Sequence, residues 1–564
     1  MSLVDEQTKP GGQPDEYADA ERNYQPKSLK FWLIILGMYL SLFLVALDRT
    51  IIATAIPAIT DDFHSITDIG WYGSAYMLTC ASFNPIFGRL YQLYSTKWTF
   101  LSSIIVFEIG SALCGAAPNS TAFIVGRAIA GLGSAGIFSG GMMIIIPLVP
   151  LRKRPMFTST FGMTFAISSV IAPIIGGAFT DKVTWRWCFY LNLPIGGFTI
   201  LTVLLFFHVP SPQHARLGVM GQIRRLDPLG TLLFIPSIVS LILALEWGGS
   251  TYAWNHPKII GLLVTFSVLF VIFVVVEALT PDTAMLPGRV VLNRSIASSM
   301  FFIFLLSGAM MSVVYYINIW FQVVKGDSAT RAGLSTIPMV ISLVVMSVFA
   351  AAFTQKIGYY VPSMLVGPVL CSVGAGLLST LAPDSNHRYW ISYQVLFGLG
   401  IGCGFQTSNL APQAVLPRAE VPIGMALTFF MQQLGGAILL AVDQNLLSTK
   451  LVERLSHIAD LDTHTIVNTG ATDLRAVVPA DDLDTVVNAY NYALMRIFVI
   501  TAGLSAAAIL GGLTIEWRSI KAKDPKGLAD QAEIGPDEGN GRASEKSDNN
   551  SDQTKSRSQS QLEV

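Results

Sequence analysis

Residues 1–30 are polar, and from Phe31 onward long apolar runs alternate with short polar breaks. The runs fall at about 31–57, 69–91, 98–117, 121–148, 156–180, 187–209, 228–247, 258–279, 295–324, 334–355, 361–381, 389–415, 421–448 and 490–517. Each is near the roughly 20 residues that a helix needs to cross a bilayer. Lipid offers the backbone no hydrogen-bond partners, so such runs predict membrane helices, about fourteen of them. Barrel strands would be shorter and alternating. The acidic start does not read as a cleavable signal peptide.

Composition agrees with the pattern. Hydrophobic residues make up 52% of the 564, charged residues only 13%, and mean hydropathy is +0.53. Soluble proteins carry roughly 25% charged residues, and fewer would not cover a surface of this size. Lys plus Arg (36) balances Asp plus Glu (37), so nothing points to a nucleic-acid partner. Cys80, Cys114, Cys188, Cys371 and Cys403 lie in or beside apolar runs without metal spacing and read as small buried hydrophobes. The seven histidines fall at or beyond run ends, so no metal site, cofactor or enzymatic centre is expected. No Gly precedes a Lys, which excludes a phosphate-binding loop and ATP-driven transport by this chain.

Basic residues predict the orientation. With a cytosolic N-terminus, about eighteen Lys and Arg flank inner span ends against about six on outer loops. Both termini are then cytosolic and the acidic loop 449–489 is outside. The tails 1–30 and 519–564 read as disordered.

Two adjacent spans recur. Gly126-Arg127-Ala-Ile-Ala-Gly131-Leu-Gly133 of the fourth is echoed by Gly398-Leu-Gly400-Ile-Gly402-Cys-Gly404 of the twelfth. Pro173-Ile-Ile-Gly176-Gly177 of the fifth is echoed by Gln432-Gln433-Leu-Gly435-Gly436 of the thirteenth. Repeated halves around a midplane site are a transporter signature. The predicted domains are a six-helix bundle at 31–209, two linking helices with their loops at 210–294, and a second six-helix bundle at 295–518. Gly131-Leu-Gly133-Ser-Ala-Gly136 also matches a dinucleotide fingerprint, but inside a membrane span it reads as close helix packing.

The first span carries Leu47-Asp48-Arg49-Thr50. Two charges inside an apolar helix cost several kcal/mol unless paired or wet. Adjacent residues on a helix point apart, so Asp48 and Arg49 need different partners. At 1.5 Å per residue, Asp48, Glu108 and Arg127 come to roughly 9–14 Å below the outer surface. They form either a static ion-pair network or a titratable proton-coupling site. Glu246, Asp443 and Glu277 lie near span ends and read as rim positions. Asn318, Gln322, Gln406, Asn409, Gln413, Gln432 and Gln433, with Tyr315, Trp320, Phe429 and Phe430, would suit a large, mostly uncharged ligand or interhelical hydrogen bonds. Asn119-Ser-Thr121 is a formal glycosylation site close to the membrane.

The first-span motif, Arg127 with its glycines, Ala172-Pro173-Ile-Ile-Gly176-Gly177 and Trp185-Arg186-Trp187-Cys-Phe-Tyr190-Leu-Asn192-Leu-Pro194 occur in an order that resembles the major facilitator superfamily. More narrowly they are similar to its fourteen-span drug:proton antiporters, and among those to fungal toxin-efflux pumps. Tyr315–Gly326 and Phe429–Gly436 fit the same group. The resemblance covers about residues 31–517. It implies an all-α polytopic fold of two six-helix bundles plus two extra spans, rocking about a central cavity. It also implies that Pro173, Gly176 and Gly177 lie where the bundles meet and seal the cavity against proton leak. Gln92 stands where the family has Asp in its inner-gate network, and Ala172 where the antiporters have Gly.

The expected function is proton-driven export of an amphipathic small molecule such as a toxin, secondary metabolite or drug. Export would run on the proton gradient, from a monomer in the cell membrane. The alternatives are a vacuolar carrier of basic amino acids, which would need a ring of cavity carboxylates, and a non-transporting sensor on the same fold.

Overall fold

A computed structural model of the chain describes residues 20, 23–64, 68–207, 225–249, 252–281, 283–455 and 482–521. Most of both tails and of the loop 449–489, and the Pro173 side chain, lie outside the described residues. Fourteen membrane-length segments run through those that are described. They are α1 Leu29–Phe63, α2 Ile69–Leu93, α3 Thr96–Ala116, α4 Ser120–Leu148, α5 Arg154–Lys182 and α6 Asn192–Phe206, which continues the turn Trp187–Tyr190. Next come α7 Pro228–Trp247 and α8 Pro257–Leu279. The last six are α9 Arg294–Ile319, α10 Ile337–Ile357, α11 Val361–Leu378, α12 His387–Gly404, α13 Val421–Leu455 and α14 Leu483–Thr514. Eleven are long and apolar enough to cross a membrane on composition alone; α2, α5 and α12 carry more polar positions and pack among them.

Two predicted spans are interrupted. The run 295–324 is α-helical to Ile319 and then widens into a π turn, Trp320–Val324. The run 389–415 breaks after Gly404, where Thr407 Oγ1 donates to Gly404 O at 2.6 Å and a 3-10 turn leads into Leu410–Val415.

The contacts of the first six helices recur eight helices later. In the first half α3 and α2 pack on α4, α1 packs on α5 and α6, and α3 packs on α6. In the second half α11 and α10 pack on α12, α9 packs on α13 and α14, and α11 packs on α14. The repeated glycines make this close approach possible, because a side chain would strike the neighbouring backbone. A Cβ on Gly131 would lie 2.3 Å from Tyr76 O, and one on Gly133 2.4 Å from Phe107 N. Their counterparts Gly398 and Gly400 would meet Met339 O at 2.4 Å and Cys371 N at 2.5 Å. The dinucleotide-like glycines are thus packing positions, and all five cysteines are buried and free.

The two bundles touch along α2–α13 and α5–α10, a pair of contacts related by the same repeat. On the face where α1 begins and α14 ends, the seam is tightly closed. Gly88 packs on Ala426 and on the Pro422 carbonyl, and Phe138 meets Phe429 with ring centroids 4.4 Å apart. Fully buried Arg154 donates to Val149 O and Ile146 O at 2.9 Å and reaches Gln413 Oε1 of the other bundle at 3.3 Å.

Helices α7 and α8 form a hairpin docked on α2 and α13. Its ends capture Arg89, which donates to Arg225 O (3.0 Å), Thr283 O (3.3 Å) and Gln92 Oε1 (2.5 Å). Gln92 therefore still holds this arginine although the customary acid is absent.

Candidate functional site

Four helices converge on Asp48. Arg127 of α4 donates to Asp48 Oδ2 at 2.6 Å, and the two side chains are 1% and 0% exposed. The same guanidinium donates through Nε to Tyr72 O at 2.8 Å and lies 4.5 Å over the Tyr76 ring, so one face and a second edge donor are also engaged. Asn192, at the start of α6, places Nδ2 3.3 Å from Asp48 Oδ1 and 2.9 Å from Ser111 Oγ on α3. A buried ion pair is tolerated when its remaining polar atoms are hydrogen-bonded, and Asn192 supplies that contact here.

Glu108 does not join this pair. It sits one turn before Ser111 on α3 with its carboxylate against α6, where a Cβ on Gly196 would come within 1.8 Å of Oε1. Both oxygens are buried without a hydrogen-bond partner.

Arg49 turns the other way, as expected of adjacent helical residues. It leaves the bundle and brings Nη1 to 3.4 Å from Gln433 Oε1 on α13. Helix α1 thus holds an internal ion pair at one residue and a contact between the bundles at the next.

The Gly-Gly step on α5 divides its work. A Cβ on Gly176 would lie 2.2 Å from Thr54 Oγ1 and 2.8 Å from Ile51 Cγ1, so α5 rests directly on α1 about one to two turns beyond Asp48. Gly177 faces open space.

The predicted cavity residues scatter. Gln433 faces the seam against Arg49, as does Gln406, whose Nε2 lies 3.4 Å from a Cβ built on Gly162 of α5, while Gln432 has a buried Oε1 without a hydrogen-bond partner. Phe429 is at the seam against Phe138. Phe430 packs on Phe234 of the linking hairpin at 5.5 Å. Trp320 is fully buried in the second bundle's core, where its Nε1 donates to Asn491 Oδ1 at 2.8 Å. Asn318 Nδ2 donates back to Val314 O at 2.8 Å, Gln322 is half-buried in the π turn, and Tyr315 is exposed. Asn119 Oδ1 accepts from Ala122 N at 2.9 Å and caps α4.

Two supposed rim acids are corrected. Asp443 is 1% exposed and accepts from Ser312 Oγ inside the second bundle, while Glu277 accepts from Met285 N and Leu286 N, both at 3.1 Å. Sequence reasoning also left Asn192 and Arg154 without roles. Asn192 had a signal: a lone amide amid Tyr190-Leu-Asn-Leu-Pro194 at the start of an apolar run. The seam partner of Arg154 is 259 positions away and left none.

The Major Facilitator Superfamily model matches residues 38–440. The chain is 46% identical over 519 residues to the MFS-type transporter VdtG of Byssochlamys spectabilis, covering 92% of this chain and 94% of that protein. It is 48% identical over 497 residues to the MFS-type efflux pump MFS1 of Arthroderma benhamiae, covering 88% and 93%. Its fold is similar to that of a double-tryptophan variant of XylE, with a TM-score of 0.56, 14% identity and coverage of 87% and 97%. The repeated helical packing, the family model and these relatives agree, and the chain belongs to the Major Facilitator Superfamily, a family of membrane transporters.

Proposed function

We propose that the chain is an efflux pump that exchanges protons for an amphipathic small molecule. In this reading it works as a monomer in the cell membrane with both termini cytosolic, and the proton gradient supplies the energy. The high identity to a relative named as an efflux pump supports the direction of transport.

The observation that carries the coupling is the placement of Asp48 and Arg49 side by side on α1. A proton on Asp48 removes the charge that balances Arg127 and leaves a buried guanidinium uncompensated. The first bundle then has a reason to rearrange, and α1 transmits the change to α13 through the next residue. Ligand and proton each bias one two-state element, which is what exchange requires. Glu108 is the second carboxyl available to the same path. Gly176 lets α5 lie close on α1 and supports a seal there. Arg49 at the seam weighs against a carrier of basic amino acids.

Cells expressing the chain, loaded with candidate amphipathic compounds, test the proposal. Retention should fall relative to cells without it, and a protonophore should restore it. Faster uptake down the compound's gradient, insensitive to protonophore, would make the chain a facilitator.

A further inference from the structure

The charges around the centre of the fold do not cancel. Asp48 and Arg127 neutralise each other in a sealed pair. Arg49 remains, half-buried between the bundles, and among the described residues no carboxylate lies within ion-pair distance of it. A guanidinium presents its donors in a planar fork that matches an acid's two oxygens. Its contact with Gln433 is long, at 3.4 Å, and offers a neutral oxygen where the geometry of the fork suits an anion. Ser307 Oγ donates to the Gln432 carbonyl at 2.7 Å and fixes this stretch of α13 on α9.

Building on the transport reading above, we propose that Arg49 and Gln433 form the polar end of the substrate site and receive an acidic group, a carboxylate or acidic phenol, of an amphipathic substrate. The acid supplies the missing counter-charge by a bidentate contact to Arg49, and the Gln433 amide donates to a remaining lone pair. The ligand spans α1 and α13, so its arrival and departure are felt by both bundles. Because Asp48 is the neighbouring residue on α1, the anion site and the proton site share one helix. An exported acid would leave with its negative charge as a proton enters, and both movements carry the same sign of charge transfer.

The test measures binding separately from transport. Purified protein in detergent is titrated with 1-pyrenebutyrate and 2-naphthoate and with their methyl esters, using empty micelles as the baseline. The acids should bind at least about tenfold more tightly than the esters, the scale of a charge-assisted hydrogen-bonded pair. Arg49→Gln should abolish that preference and Arg49→Lys should keep part of it. Gln433→Glu, which supplies the counter-charge from within the chain, should abolish it with Arg49 still present. Equal or absent binding of acids and esters to the unaltered protein, or an acid preference that survives Arg49→Gln, overturns the proposal. Export of neutral esters alongside either result leaves the efflux reading standing. An acid preference in a protein that exports nothing preserves the site and removes the efflux reading.

Discussion

Arg127 closes on Asp48 at 2.6 Å with both side chains sealed from solvent, although they lie 79 positions apart in the chain. The pair joins α1 to α4, and Asn192 ties it to α6 and, through Ser111, to α3. Removing one partner should cost more than removing both, because the survivor is left charged and buried.

Arg127→Ala is therefore expected to destabilise the first bundle by about 3–5 kcal/mol and to abolish export. Asn192→Ala should cost less, about 1–3 kcal/mol, by leaving Asp48 Oδ1 and Ser111 short of a donor. Thermal unfolding of the purified variants checks the order, and Arg127→Ala combined with Asp48→Asn should recover part of the loss.

Gly176→Leu should wedge α5 from α1, since its Cβ alone would meet Thr54 Oγ1 at 2.2 Å. Overpacking of this kind costs about 1–3 kcal/mol. Export should fall more than membrane abundance, whereas Gly177→Ala, facing open space, should behave as the unaltered protein. Immunoblots and export rates measured on the same membranes separate the two effects.

Beyond the apolar part of α1, Arg186 donates to Asp62 Oδ2 at 2.8 Å and Trp185 donates to it at 3.2 Å. The Arg186 hydrogen bond holds the Asp62 carboxyl below the usual carboxylate range. A lowered folded pKa contributes stability above the unfolded value of about 3.9 and loses it as pH falls through the folded value. The pair is 32% and 45% exposed, so its worth is under about 1 kcal/mol. Asp62→Asn should lower the melting temperature slightly at neutral pH, and the difference should vanish in strong acid.

The excess of basic residues on one side predicts the topology. A tag after Val564 should be cytosolic, and one inserted near Thr465 should be labelled from the far side of the membrane. Labelling of both from the same side would remove an odd number of spans.

Much of this was legible in the sequence because lipid imposes a simple rule. Apolar runs of one length must be helices, and the fourteen runs correspond to the fourteen segments. The glycine repeats were readable for the same reason, since close packing in a membrane has few other solutions. The separate partners of Asp48 and Arg49 followed from helical geometry. What did not follow was the direction of side chains on long, uniformly apolar helices. Trp320 and Phe430 looked like ligand contacts, yet one is core and the other faces the linking hairpin. Counting depth placed Glu108 level with Asp48 but could not show that it turns toward Gly196.

The most direct test of coupling through Asp48 uses proteoliposomes with an imposed pH gradient and a dye that the unaltered protein exports. Asp48→Asn preserves size and removes the titratable group. The unaltered protein should drive dye against its gradient when protons can flow the opposite way, and Asp48→Asn, at equal abundance, should show no response to the gradient. Dye transport by Asp48→Asn with the full pH-gradient dependence of the unaltered protein would contradict the account and make the Asp48–Arg127 pair a structural clamp.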